Sequence, residues 1–177
     1  MKRLIICVIV IVIAMSFNLS VFAGENMLIN PGFETGDTTG WSGGVDTGQA
    51  GYWVWDHDQH SGNYTAASGS WTPEPTPIII SQEVTVNEGD EVTFSGWTSG
   101  QYDFAPDSTA CLKVEFLDRY GNVISTSKST PRNGTYPYVK DTVQAVAPAE
   151  TDRARCIFYV ESTGGSATFD DAELIIE

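Results

Sequence analysis

The chain has 177 residues, with 9 Lys+Arg against 23 Asp+Glu and a formal net charge of −14. Lys2 and Arg3 are the only charges among the first 23 positions, so residues 24–177 carry 7 − 23 = −16. A surface of that sign repels nucleic acid and anionic lipid, and it leaves uncharged ligands and divalent cations as suitable partners.

Lys2 and Arg3 precede an apolar run from Leu4 to Met15, and Val21-Phe22-Ala23 then offers small residues at the third and first positions before Gly24. That order is the pattern of a secretory signal peptide. A membrane anchor is the alternative, but the run is shorter than the ~20 residues that a spanning helix needs. The expectation is a signal peptide over 1–23 and one exported domain over 24–177, monomeric and not inserted in the membrane after cleavage. The remaining 177 − 23 = 154 residues suffice for a single packed core.

Beyond residue 24 no window sustains a helical period. Short runs rich in Val, Ile, Thr and aromatics recur instead, bounded by Gly, Pro, Asn or Asp. They predict strands at 50–55, 64–70, 78–86, 91–98, 110–117, 138–147, 153–160 and 167–176. Asn87-Glu88-Gly89-Asp90 and Arg119-Tyr120-Gly121-Asn122 have turn chemistry. Pro73, Pro75 and Pro77 predict an extended crossing at a sheet edge, since proline donates nothing to a ladder. Eight or more strands without helices predict an all-β sandwich of two antiparallel sheets. Cys111 and Cys156 fall on opposite faces by strand parity, which argues against a disulfide unless a bulge intervenes.

Two segments at opposite ends carry a resemblance. Asn26 to Gly36 reads N-M-L-I-N-P-G-F-E-T-G and is followed by Gly40-Trp41, and Ala167 to Leu174 reads A-T-F-D-D-A-E-L. Between them stand His60-Ser61-Gly62-Asn63-Tyr64, Gln82-Glu83-Val84-Thr85-Val86, Phe94-Ser95-Gly96-Trp97 and Leu112 to Asp118 with Gly121. In this order the pieces resemble the jelly-roll carbohydrate-binding modules of the family 4/9/16/22 group. The resemblance implies a jelly-roll β-sandwich, polysaccharide or oligosaccharide binding, and a structural calcium ion where the chain ends meet. Carried over by position, Glu34 and Asp170 are the metal side chains, with backbone carbonyls near Asn30, Thr35 and the 60–63 turn completing the set. By parity with Ala172 and Leu174, the Asp170 carboxylate is expected to point inward. The alternative for Glu34 is to accept hydrogen bonds from turn amides. Phe33, Leu28 and Trp41 are expected in the core.

Asp56-His57-Asp58-Gln59-His60 has metal-ligand chemistry, but consecutive extended residues face opposite ways, so a polar loop is the better reading. Gly40 to Gly44 matches G-x-S-x-G formally, without the strand-to-helix context that a nucleophile elbow requires. Trp53 and Trp55 share a strand face, about two rises (~6.6 Å) apart. Trp97 projects away from Phe94, with Gln101 and Tyr102 following. Flat indole and phenol faces stack on sugar rings, so these five are the expected carbohydrate-binding residues; core packing is the alternative for any one of them. The function expected is non-catalytic glycan binding. A structural or adhesive surface protein is the first rival, and a small glycan-active enzyme with two facing carboxylates is the second.

Overall fold

The computed structural model describes residues 24–44, 50–72 and 74–177. The signal-peptide reading of 1–23 lies outside the described residues. Eleven strands are described: β1 (Ser42–Gly44), β2 (Ala50–Trp55), β3 (Thr65–Ser70), β4 (Thr76–Thr85), β5 (Glu91–Gln101), β6 (Thr109–Leu117), β7 (Val123–Lys128), β8 (Arg132–Asn133), β9 (Tyr136–Val146), β10 (Arg153–Ser162) and β11 (Ser166–Ile176). They form two antiparallel sheets, as the sequence predicts. The first has the order β1-β4-β10-β6-β7, with β8 also on β6, and the second β2-β3-β11-β5-β9. Among the described residues, no helix is long and apolar enough to cross a membrane.

The alternation of the strands decides what fills the space between the sheets. Ile80, Phe158 and Leu112 are in register across β4, β10 and β6 and all are fully buried. Phe94 of β5 and Leu174 of β11 face them from the other sheet. Phe169 is the hub. Its ring stacks on Phe158 at 4.9 Å and meets Phe33, Trp41 and Phe94 edge-on at 6.0, 5.7 and 6.2 Å. Gly96 lies directly beneath that ring, where a Cβ would collide with it. Trp41 is a core plug, as expected, with its Nε1–H donating to the Asn30 carbonyl at 3.0 Å.

Pro77 is in β4 opposite Glu161 of β10, and among the described residues β1 pairs with β4 over Ile79 to Ser81; Pro73 lies outside the described residues. Ser42 opens β1 and bonds to the Ser81 carbonyl, so G-x-S-x-G leads into a strand and not a helix. Cys111 and Cys156 are both buried and free. They lie on adjacent strands but pair with Tyr159 and Val114 respectively, on opposite faces.

One parity expectation fails. The register shifts between Asp170 and Glu173, with Asp171 at φ 46° as the extra residue. Asp170 therefore pairs with Trp97 on the face away from the core and does not share the inward face of Ala172 and Leu174. It is nevertheless fully buried. A bulge flips facing by one residue, and A-T-F-D-D-A-E-L carries no glycine to announce it.

Candidate functional site

The chain ends meet at one corner. Asn26 bridges to β11, donating to the Ala172 carbonyl and accepting from Leu174 N–H at 2.9 and 3.0 Å. The 60–64 turn packs beside it and is held by three carboxylates. Glu34 accepts the N–H groups of Asn63 and Tyr64 at 3.0 and 3.1 Å, the role that its alternative reading gives it. Asp170 accepts from His60, Ser61 and Asp171 N–H at 2.9, 3.3 and 2.8 Å. Asp171 takes the Ser61 hydroxyl at 2.8 Å and lies 2.6 Å from His60 Nδ1. The point that a Cβ on Gly32 would occupy is 3.7 Å from Asp170 Oδ1, 3.5 Å from Asp171 Oδ1 and 3.7 Å from Glu34 Cγ. Glu34 Cγ and Asp170 Oδ1 are thus at most 3.7 + 3.7 = 7.4 Å apart.

Burial pushes the Asp170 carboxyl up to about 6, against the pull of the N–H bond from Asp171, and the Asp171 charge adds to the rise. Three carboxylates beside a single imidazole present hard oxygen donors, the chemistry that suits a cation such as Ca²⁺. Glu34 and Asp170 fit the group. Among the described residues no three His, Cys, Asp or Glu side chains form a ready-made cage, so backbone carbonyls or water must complete any shell. The Asn30 carbonyl is a poor candidate, because it already accepts from Phe33 N–H and Trp41 Nε1–H.

The outer face of the second sheet carries the aromatics. Trp53 and Trp55 project together from β2, with ring centroids 5.6 Å apart and planes at 76°. Trp71, just past β3 and largely exposed, stacks on Trp53 at 5.6 Å and 24°. Tyr102 tilts against Trp55 at 5.2 Å. The four rings form one continuous strip along the β2 edge. Trp97 and Gln101 lie on the same face but apart from the strip. Trp97 stacks flat on His60 at 3.9 Å and 14°, and Gln101 Nε2 donates to Ser99 Oγ at 3.1 Å. Of the five expected binding residues, the structure groups Trp53, Trp55 and Tyr102, while His60 covers one face of Trp97. Asp58 and His60 are not among the residues expected on the binding face, because only the folding of the 56–64 connector across the sheet brings them there. Trp71 and Tyr138, next in line by sequence, stand on this face as well. As expected, the Asp56–His60 run does not converge: His57 pairs with Asp56, Gln59 with the Asn63 carbonyl, and His60 with Asp171. The surface also has an open depression of about 380 Å³ at the β6–β7 and β9–β10 turns, lined by Asp118, Arg119, Tyr120, Glu150, Thr151 and Asp152. It does not coincide with the aromatic strip.

No family model and no curated protein matches the chain. Solved structures do. A carbohydrate-binding module, TmCBM61 in complex with β-1,4-galactotriose, is 26% identical with a TM-score of 0.63, over 86% of this chain and 99% of that one. The CBM22-1 xylan-binding domain of Paenibacillus barcinonensis Xyn10C is 21% identical with a TM-score of 0.64, over 87% and 96%. The enzymatically active domain of bacteriophage CBA120 tailspike protein 4 gives 14% and 0.69, over 86% of this chain, which spans only 21% of that larger one. A cyclase from Fischerella sp. TAU, at 15% identity, has the same fold. The resemblance that the terminal motifs carry thus extends to the whole described sandwich, whose architecture is that of the jelly-roll carbohydrate-binding modules.

Proposed function

We propose that this chain is a non-catalytic carbohydrate-binding module that takes an uncharged glycan chain on the outer face of its five-stranded sheet. The observation that carries the reading is the strip Trp71–Trp53–Trp55–Tyr102, with neighbouring centroids 5.2–5.6 Å apart. Large aromatic surface left half-exposed in one line marks a binding face, and the apolar faces of pyranose rings stack on such rings. Gln101, on the same face but apart from the strip, offers an amide to the hydroxyls of a longer chain. Stacking and hydrogen bonding need no general acid, so binding proceeds without bond cleavage. The net charge of the domain disfavours acidic polysaccharides. Calcium belongs to the same reading: Glu34 and Asp170 would hold it at the corner of the chain ends, where it neutralises charge and ties the 60–64 turn down. Export, which the signal-like order of the first 23 residues supports, would bring the protein to where polysaccharide is found.

Affinity gels loaded with plant, microbial and animal glycans test the proposal. At least one should retard the wild type without release of reducing ends. Trp53→Ala and Trp55→Ala should each weaken retention by ~1–3 kcal/mol, by analogy with bases stacked on aromatics, with unchanged melting curves. Retention unaffected in both variants moves the site elsewhere. No retention of wild type on any glycan favours a structural or adhesive role, and reducing ends released by the wild type favour an enzyme.

A further inference from the structure

The middle of the aromatic face is roofed. Ala67 of β3, Thr168 of β11 and Ser99 of β5 form one row across the outer face, and Ser166 lies in the next row beside Gly69 and Gln101. All four are fully buried, although the hydrophobic core is on the other side of the sheet. Tyr138 of β9 caps the row, its hydroxyl beside Thr168, Ser99 and Thr65, and two connectors meet over it from opposite ends. The 56–64 connector folds back over the sheet, stacking His60 on Trp97 and bringing the Asp58 carbonyl to the Tyr138 hydroxyl at 2.6 Å. The segment after β5 brings Tyr102 over from the other end, and its hydroxyl donates to the Asp58 carboxylate. Asp58 therefore clasps both sides.

This contact is also where the backbone is strained. Asp58, Tyr102 and Asp103 have φ of 54°, 49° and 60°, a region that non-glycine residues occupy at a cost and keep only where their surroundings enforce it. Among the described residues, two polar atoms on this face are buried with no partner, the Ser166 hydroxyl and the Trp55 indole N–H. Native structures seldom leave such groups unsatisfied. Separate hydroxyls of a ligand chain running along this face, one on each side of the Ala67–Thr168–Ser99 row, would satisfy them.

We propose that Asp58 is the clasp of a gate over a second, polar subsite of the sugar-binding face. On this account, which rests on the sugar-binding reading, a short glycan stays on the tryptophan strip. A longer linear chain runs on across β3 and β11, displaces the Tyr102–Asp58 contact and hydrogen-bonds Ser99, Ser166, Thr168 and the Trp55 N–H. A gate that is mostly shut weakens apparent affinity in proportion to its open fraction. Loosening the clasp should therefore favour long chains over short ones.

Tyr102→Phe keeps the ring and removes the hydroxyl, and Asp58→Ala removes the other half of the clasp. Titration calorimetry would use the trimers and hexamers of β-1,4-galactose and β-1,4-xylose as probes. In both variants the ratio of hexamer to trimer affinity should rise at least threefold over wild type. Hydrogen exchange reads the gate without any sugar: amides of residues 97–101 and 166–169 should exchange faster in both variants, with melting curves confirming an intact fold. Unchanged exchange overturns the gate. Faster exchange with an unchanged hexamer-to-trimer ratio overturns the second subsite. Faster exchange with no binding of any probe, by the variants or by wild type on any glycan gel, overturns the sugar-binding reading on which the proposal rests.

Discussion

Asp170 is the residue whose environment makes the sharpest prediction. Its carboxyl is held at about 6 in the fold against an ordinary 3.8. A carboxyl raised in the native state means that the folded form binds the extra proton between these values. In metal-free protein, the stability that this proton confers is complete below about pH 3.8 and is lost as pH rises through about 6. The cost at neutral pH is roughly 3 kcal/mol. A cation bound only by the native state acts in the opposite sense, adding about 2.7 kcal/mol at a hundredfold excess over its Kd. Calcium should therefore raise the melting temperature above pH 6 and do little below pH 4, and EDTA should reverse the gain. Asp170→Asn should lose both the pH trend and the response to EDTA. A wild-type melting temperature indifferent to EDTA at pH 7 would remove the metal from the account.

β11 does more than any other element to join the parts. It runs down the middle of its sheet between β3 and β5, it sends Phe169 into the core, and its bulge aims two carboxylates at the 60–64 turn. Truncating Phe169 would leave a cavity against rings from Phe33, Trp41, Phe94 and Phe158, so Phe169→Ala should cost about 3–5 kcal/mol in urea unfolding. A loss below about 1 kcal/mol would mean that the hub collapses freely. Strands of this kind were legible in the sequence because their alternation is strong: β2 is found at its predicted bounds, and seven others lie within three residues of theirs. β7 escaped notice because Val-Ile-Ser-Thr-Ser-Lys is largely exposed at an edge and shows no buried face. β1 and β8 are two or three residues long and have no period to detect. The site was legible in part for the same reason. Parity placed Trp53 beside Trp55 and Trp97 away from Phe94. It had no means of foreseeing a bulge at Asp171 or a connector that folds His60 onto Trp97, because both depend on contacts distant in sequence.

At the scale of the whole molecule, the ordering of strands sets how the chain must fold. The last strand is central in one sheet and the N-terminal segment bonds to it, with Met27 N–H on the Leu174 carbonyl at 3.0 Å. The five-stranded sheet cannot join β3 to β5 until β11 is in place, and such non-local pairing is slow, in the range of milliseconds to seconds. Among the described residues no covalent staple assists: Cys111 and Cys156 stay unpaired, and burial raises the pKa of both thiols, keeping them protonated. Dithiothreitol should consequently leave the melting temperature of residues 24–177 unchanged, and a drop of several degrees would reveal a bridge. The same two buried thiols have a practical corollary. Protonated and screened from solvent, they should ignore maleimide reagents in the native state. A single Tyr120→Cys substitution, at a side chain 77% exposed, would then give the folded domain one position to which a dye or a surface linker attaches.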